Sequence, residues 1–98
     1  MITYEITING EQMRARIAQY TCGQTGVQVY CDEGPYATLS IAVPEVELAH
    51  DEVIVPVYNL GWPLIHQLVN QGFWEDTGSR VTLPFDEALV YRLKVAGL

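Results

Sequence analysis

Eight carboxylates occupy the middle of this chain with no lysine or arginine among them. Asp32, Glu33, Glu45, Glu47, Asp51, Glu52, Glu75 and Asp76 all fall between Arg16 and Arg80, a stretch of formal charge −8. The five cations, Arg14, Arg16, Arg80, Arg92 and Lys94, lie toward the ends, where Glu5, Glu11, Asp86 and Glu87 leave a net +1. Carboxylates without cations can ligate a metal, share a proton in catalysis, or present an anionic surface to a cationic partner.

The metal and catalytic readings find little support. His50-Asp51-Glu52 matches no established metal spacing. Glu45, Glu47, Asp51 and Glu52 lack the glycine and ligand register of an EF-hand loop. His66 falls in a helical stretch beside Ile65. No functional metal and no cofactor are expected. Asp76-Thr77-Gly78-Ser79 resembles the catalytic tetrapeptide of aspartic proteases, in which two aspartates share one proton. It departs from that family in coming late, after Glu75, with only 20 residues following Gly78 and no glycine-rich flap. Asp, Gly and Ser are also ordinary turn residues. There is no Gly-x-Ser-x-Gly elbow, phosphate-binding glycine loop or Cys-x-x-Cys pair. The sequence therefore reads as a non-enzyme.

The anionic surface is the reading that survives. In extended backbone Glu45 and Glu47 would emerge on one side about 6.6 Å apart, close to the roughly 6.8 Å of two phosphate steps along a DNA strand. Asp32, Glu33, Glu45, Glu47, Asp51 and Glu52 are the primary partner-binding candidates, with Glu75 and Asp76 secondary. The net charge of −7 argues against direct contact with nucleic acid or anionic membrane and permits a basic, nucleic-acid-binding protein as partner. No run approaches the roughly 20 apolar residues of a membrane span. Met1-Ile2-Thr3-Tyr4-Glu5 has no basic, then apolar, leader pattern. A cytoplasmic location is expected, with Cys22 and Cys31 as reduced thiols, although they flank a turn that a bridge could span.

These acids need a frame. With 98 residues, 49% of them hydrophobic, the chain suits one folded domain, residues 1–98. Ile2, Tyr4, Ile6 and Ile8 alternate with Thr3, Glu5 and Thr7, a strand with one buried face. Asn9-Gly10 is a hairpin turn signal. A second strand over 11–20 turns Met13, Ala15 and Ile17 inward and Arg14 and Arg16 outward. Strands are expected at 27–31 and 36–42, making four in an antiparallel meander. An acidic connection follows to residue 52, then a strand over 53–58 that Pro56 confines to an edge.

The spacing of Leu64, Ile65, Leu68 and Val69 predicts one helix over about 59–72, with Asn59 as N-cap, Pro63 in the first turn and Gly72 as left-handed stop. Trp62 and Trp74 should pin its ends to the sheet. Residues 75–79 read as a turn, 80–83 as a short strand and 88–95 as the last. The class is α+β: a mostly antiparallel sheet of five to seven strands with one helix packed on one face.

Gly34-Pro35-Tyr36-Ala37-Thr38-Leu39-Ser40-Ile41, the acidic connection, the single amphipathic helix and Glu75-Asp76-Thr77-Gly78 resemble, in their order, small proteins carried on bacterial plasmids, integrative elements and phages. In size, charge and lack of catalytic motifs the chain is similar to the acidic anti-CRISPR and antirestriction proteins such elements carry. The resemblance implies an inhibitor of a bacterial defence system, acting in the host cytoplasm. Its partner would be a type I CRISPR surveillance complex, whose DNA recognition it would block with a negatively charged face. The alternative is an assembly module of a phage or mobile element that uses apolar and edge-strand contacts through exposed members of Tyr20, Tyr30, Tyr58, Trp62 and Trp74. Either would act as a monomer or weak homodimer.

Overall fold

Asn9 and Gly10 have φ of 52° and 82°, the pair of left-handed residues a type I′ turn requires. They join β1 (Ile2–Ile8) to β2 (Glu11–Gln19) in the register Ile8↔Glu11 through Ile2↔Ile17. β3 (Thr25–Cys31) and β4 (Gly34–Thr38) continue the meander, giving a four-stranded antiparallel sheet in the order β1-β2-β3-β4. The computed structural model describes residues 2–84, 86–95 and 98. Ile6, Ile8, Met13, Ala15, Ile17, Val27 and Val29 point inward and are buried, while Arg14 and Arg16 stand on the other face, as the alternation predicts.

The remaining strands form a second sheet. β5 (Glu52–Val55), β6 (Trp74–Thr82) and β7 (Glu87–Leu93) pair antiparallel in the order β5-β7-β6. The last strand of the chain therefore lies in the middle. Between β5 and β6 run a four-residue helical turn, α1 (Val57–Leu60), and the helix α2 (Trp62–Asn70). Buried residues of both sheets and of α2, among them Leu39, Val53, Val55, Ile65, Leu68, Trp74 and Leu93, form one continuous core. Helix α2 closes that core between β1 and β6, and β3 approaches β5 on the other side, where Ile41 bridges Ile54.

The α+β class with dominant antiparallel strands is as expected, but several details differ. The strands divide into two sheets, and the helix packs against β1 of one and β6 of the other. The strand expected over 53–58 ends at Val55. The Pro56 carbonyl then accepts from the Asn59 and Leu60 amides, so Asn59 lies inside a helical turn and caps nothing. Gly61, at φ 83°, separates the two helical segments. That break starts α2 at Trp62-Pro63 and leaves Trp62 49% exposed, whereas Trp74 is buried as expected.

The helix stop behaves as predicted. Gly72 has φ 84°, its amide donates to the Val69 carbonyl, and the Phe73 amide donates to the Leu68 carbonyl, the two bonds of a Schellman motif. Residues 75–79, expected as a turn, belong to β6. The ladder to β7 is interrupted there between Asp76 and Arg80, so the turn-forming residues make a bulge within a strand. Cys22 and Cys31 are both free thiols near opposite ends of β3, too far apart to bridge.

The exposed edge of β1 is partly closed by the helix. Gln71 accepts the Thr7 amide at 2.9 Å and donates to the Thr7 carbonyl at 2.7 Å. Gln67, one turn earlier, accepts the Asn9 amide at 2.7 Å. Two side-chain amides thus imitate the next strand and satisfy backbone groups that an edge leaves open.

Candidate acidic interaction face

The acidic connection has an apolar underside. Ile41, Val43, Val46 and Leu48 pack on Ile54, Val81, Ala88 and Val90, the outward side chains of the second sheet, and form a small second core. Its path is fixed by the β2–β3 turn. The Gln24 side-chain amide donates to the carbonyls of Val43 and Val46, each at 2.7 Å, and its oxygen accepts the Val43 amide at 2.9 Å. Thr25 Oγ1 donates to the His50 carbonyl at 2.7 Å. Tyr20 reaches the start of the connection through its hydroxyl, 2.9 Å from both the Ser40 carbonyl and the Ser40 hydroxyl. A segment without regular secondary structure is thereby given a defined path.

On this frame Glu45 and Glu47 are exposed and have no ion-pair partner among the described residues. They are not displayed on extended backbone. The Val46 amide bonds the Val43 carbonyl, so Glu45 sits in a tight turn and the expected two-residue extended spacing is not realised.

Asp51, Glu52 and Glu75 gather around Arg92 on the outer side of the second sheet, the side that the connection covers. The register sets Glu52 and Glu75 opposite Arg92 on either side. Arg92 Nε lies 3.3 Å from Asp51, Nη2 is 3.4 Å from Glu52 and Nη1 is 3.6 Å from Glu75, while Lys94 Nζ is 3.8 Å from the other Glu75 oxygen. The expectation that no cation offsets the acids therefore fails for these three. Placing β7 between β5 and β6 carries two C-terminal cations into the acidic stretch. Counted with Glu45 and Glu47 of the connection that covers this side of the sheet, five carboxylates against two cations leave a formal −3.

The other candidates lie elsewhere. Asp32 and Glu33 are exposed in the β3–β4 turn, at the opposite end of the seven-residue β3 from the acidic connection, about 20 Å away at roughly 3.3 Å per residue. Asp76 is exposed, and its Oδ1 accepts the Gly78 amide at 2.8 Å. Thr77 Oγ1 donates to the Val90 carbonyl at 2.8 Å. The Asp-Thr-Gly-Ser segment thus spends its polar groups on its own bulge. Among the described residues no three His, Cys, Asp or Glu side chains converge as a metal site. Tyr91, inside the sheet near Asp76, has its hydroxyl pKa raised by burial, with Asp76 adding to the shift and Arg80 opposing it.

Sequence reasoning missed Gln24, Thr25 and Tyr20, the three side chains that position the connection. Each looks like an ordinary turn or strand-end residue, and its partners are mostly backbone groups that no side-chain pattern marks. No family model, curated protein or solved structure matches the chain.

Proposed function

We propose that the protein is an acidic protein-binding inhibitor. Glu45, Glu47, Asp51, Glu52 and Glu75 dock it onto the cationic DNA-binding surface of a host-defence complex. The resemblance noted above makes that complex a type I CRISPR surveillance complex and the chain an anti-CRISPR of a phage or mobile element. One observation carries the reading: a negatively charged loop clamped by Gln24 and Thr25 onto a sheet face whose own ion-pair network is short of cations. A fixed anionic surface loses little entropy on docking and is steered toward a basic groove. Asp32, Glu33 and Asp76 lie off this face and are not assigned to it.

The test is DNA binding by a purified type I surveillance complex, titrated with the protein at low salt and at about 0.3 M salt, where screening shortens to below the roughly 8 Å of physiological strength. Wild-type protein should displace the DNA at low salt and much less at high salt. Glu45→Lys with Glu47→Lys should abolish displacement, and Asp32→Lys with Glu33→Lys should leave it intact. Full displacement by the first double variant would sink the assignment of this face.

A second reading has one observation in its favour. Tyr58 and Trp62 are 47% and 49% exposed on the helical side of the molecule, away from the acidic face, and exposed aromatics of this size are common interface anchors. An assembly module working through them would associate independently of salt.

A further inference from the structure

Among the described residues no other element covers the outer face of the first sheet, and the N-terminal arginines stand on it. Arg14 lies between Glu5 and Tyr30 in the strand register, and Arg16 between Thr3 and Gln28. Neither forms an ion pair among the described residues. The Arg16 guanidinium carbon is 5.0 Å from the centroid of the Tyr30 ring, and the Tyr30 hydroxyl is held in turn by Gln28 Oε1 at 2.9 Å. Arg16 Nε is buried without an acceptor, so the donors it offers to a ligand are on the two Nη groups. A guanidinium braced on an aromatic ring has lost its conformational freedom before any ligand arrives. Beside it is a cavity of about 380 Å³ bounded by Thr3, Arg14, Arg16, Tyr30, Asp32 and Gly34.

We propose that Arg14, together with Arg16 braced on the Tyr30 ring, forms a site for a small oxyanion ligand, a phosphate ester. The two arginines leave one face of β2 from backbone positions about 6.6 Å apart, close enough for their long side chains to reach one tetrahedral anion, and the planar forks suit phosphate and carboxylate oxygens. The cavity has the volume of a small-molecule site. A polynucleotide is disfavoured, because the chain carries −7 overall and Glu5 and Asp32 flank the arginines. This site is independent of the acidic face, which lies on the other sheet.

The experiment is an NMR titration of the isotopically labelled full chain, following the arginine Nε–H and Tyr30 signals at constant ionic strength. The probes are inorganic phosphate, adenosine monophosphate, succinate and a ten-nucleotide single-stranded DNA, with chloride as control. Saturable shifts confined to Arg14, Arg16 and Tyr30 are expected for phosphate and the monophosphate. Arg14→Gln and Arg16→Gln should each weaken binding about tenfold, and Arg16→Lys, which keeps the charge but not the fork, should restore little of it. Both arginines stand on the open face, and thermal unfolding checks that the variants fold. Succinate binding as tightly as phosphate would make the ligand a carboxylate and overturn the phosphate-ester assignment. Shifts that match chloride, or persist in both glutamine variants, would overturn the site. Tighter binding of the DNA than of the monophosphate would overturn the restriction to a small ligand.

Discussion

The two sheets treat their outer faces in opposite ways. In the first, strand order follows chain order, and the face away from the core stays open and polar, with Arg14 and Arg16 on it. In the second, the last strand is inserted between the other two, and the outward face is apolar enough to require covering by the chain's own connection. The difference teaches how far local sequence governs charge. Along a meander, neighbours in sequence are neighbours in space, so which charges meet across strands, Arg14 with Glu5 and with the Asp32 turn, follows from chain order. A strand inserted from elsewhere brings its own charges, and Arg92 arrives among Asp51, Glu52 and Glu75 although 40 residues separate it from Glu52.

The largest expected effect tests whether the second core is a real structural unit. Ile54 is fully buried beneath the connection. Ile54→Ala should cost about 2–4 kcal/mol in denaturant unfolding. Hydrogen exchange should speed up in residues 41–50 before it does in β1–β3, because the connection is held by that small core and a few side-chain bonds. Equal acceleration in both sheets would mean that the two cores are one cooperative unit.

A smaller effect separates the sheets by pH. Tyr4, on the inner side of β1, has its hydroxyl pKa pushed up to about 12, mainly by burial. The Trp74 indole nitrogen lies close by and opposes the shift slightly, but neither group completes a hydrogen bond of good geometry. An unfolded tyrosine ionises near pH 10. The folded state therefore holds its proton longer. The stability due to this group is full below about pH 10 and is lost as pH rises toward 12, a total of about 2–3 kcal/mol. Tyr91 adds to the loss with the same sign. Unfolding measured between pH 9 and 12 should show the decline, and Tyr4→Phe should flatten most of it.

The hairpin turn, the meander, the inward and outward residues of β1–β3 and the Schellman stop of α2 were legible because each depends on residues within a few positions of one another. Asn9-Gly10 and Gly72 declare their backbone conformations by type. The two-sheet division, the buried role of Gln24 and the fate of Trp62 were not legible, since each depends on a contact or a break set by distant chain. Gln24 reads as a turn residue until Val43 and Val46 are placed beside it. Of the candidate site, the acids of the connection were found from charge alone. Their ion pairing could not be, because it follows from the position of β7.

The closed edge of β1 offers a test of about 1–2 kcal/mol. Gln71, the C-cap of α2, makes two bonds to the Thr7 backbone. Gln71→Ala should cost about that much at the usual net value of a hydrogen bond, and it should leave β1 free to pair with a second copy. A concentration-dependent dimer in sedimentation, absent from the wild type, is the accompanying outcome.

The smallest effect on stability is the most informative about the contrast between the sheets. Arg92 is shared by three carboxylates, but its side chain is 38% exposed and each contact is 3.3 Å or longer, so solvent discounts the pairing. Arg92→Gln should cost about 1 kcal/mol or less. It also removes the cation that the topology carries into the acidic face, taking that face from −3 to −4. If the face engages a basic partner, the variant should be slightly less stable and yet bind more tightly, with a steeper loss of affinity as salt rises. Arg14→Gln removes a charge of the same sign from the other sheet and serves as the comparison, with little change expected in either property. Equal gains in binding from both would show that total charge matters and its placement does not. Tighter binding from Arg92→Gln alone would locate the interaction on the second sheet.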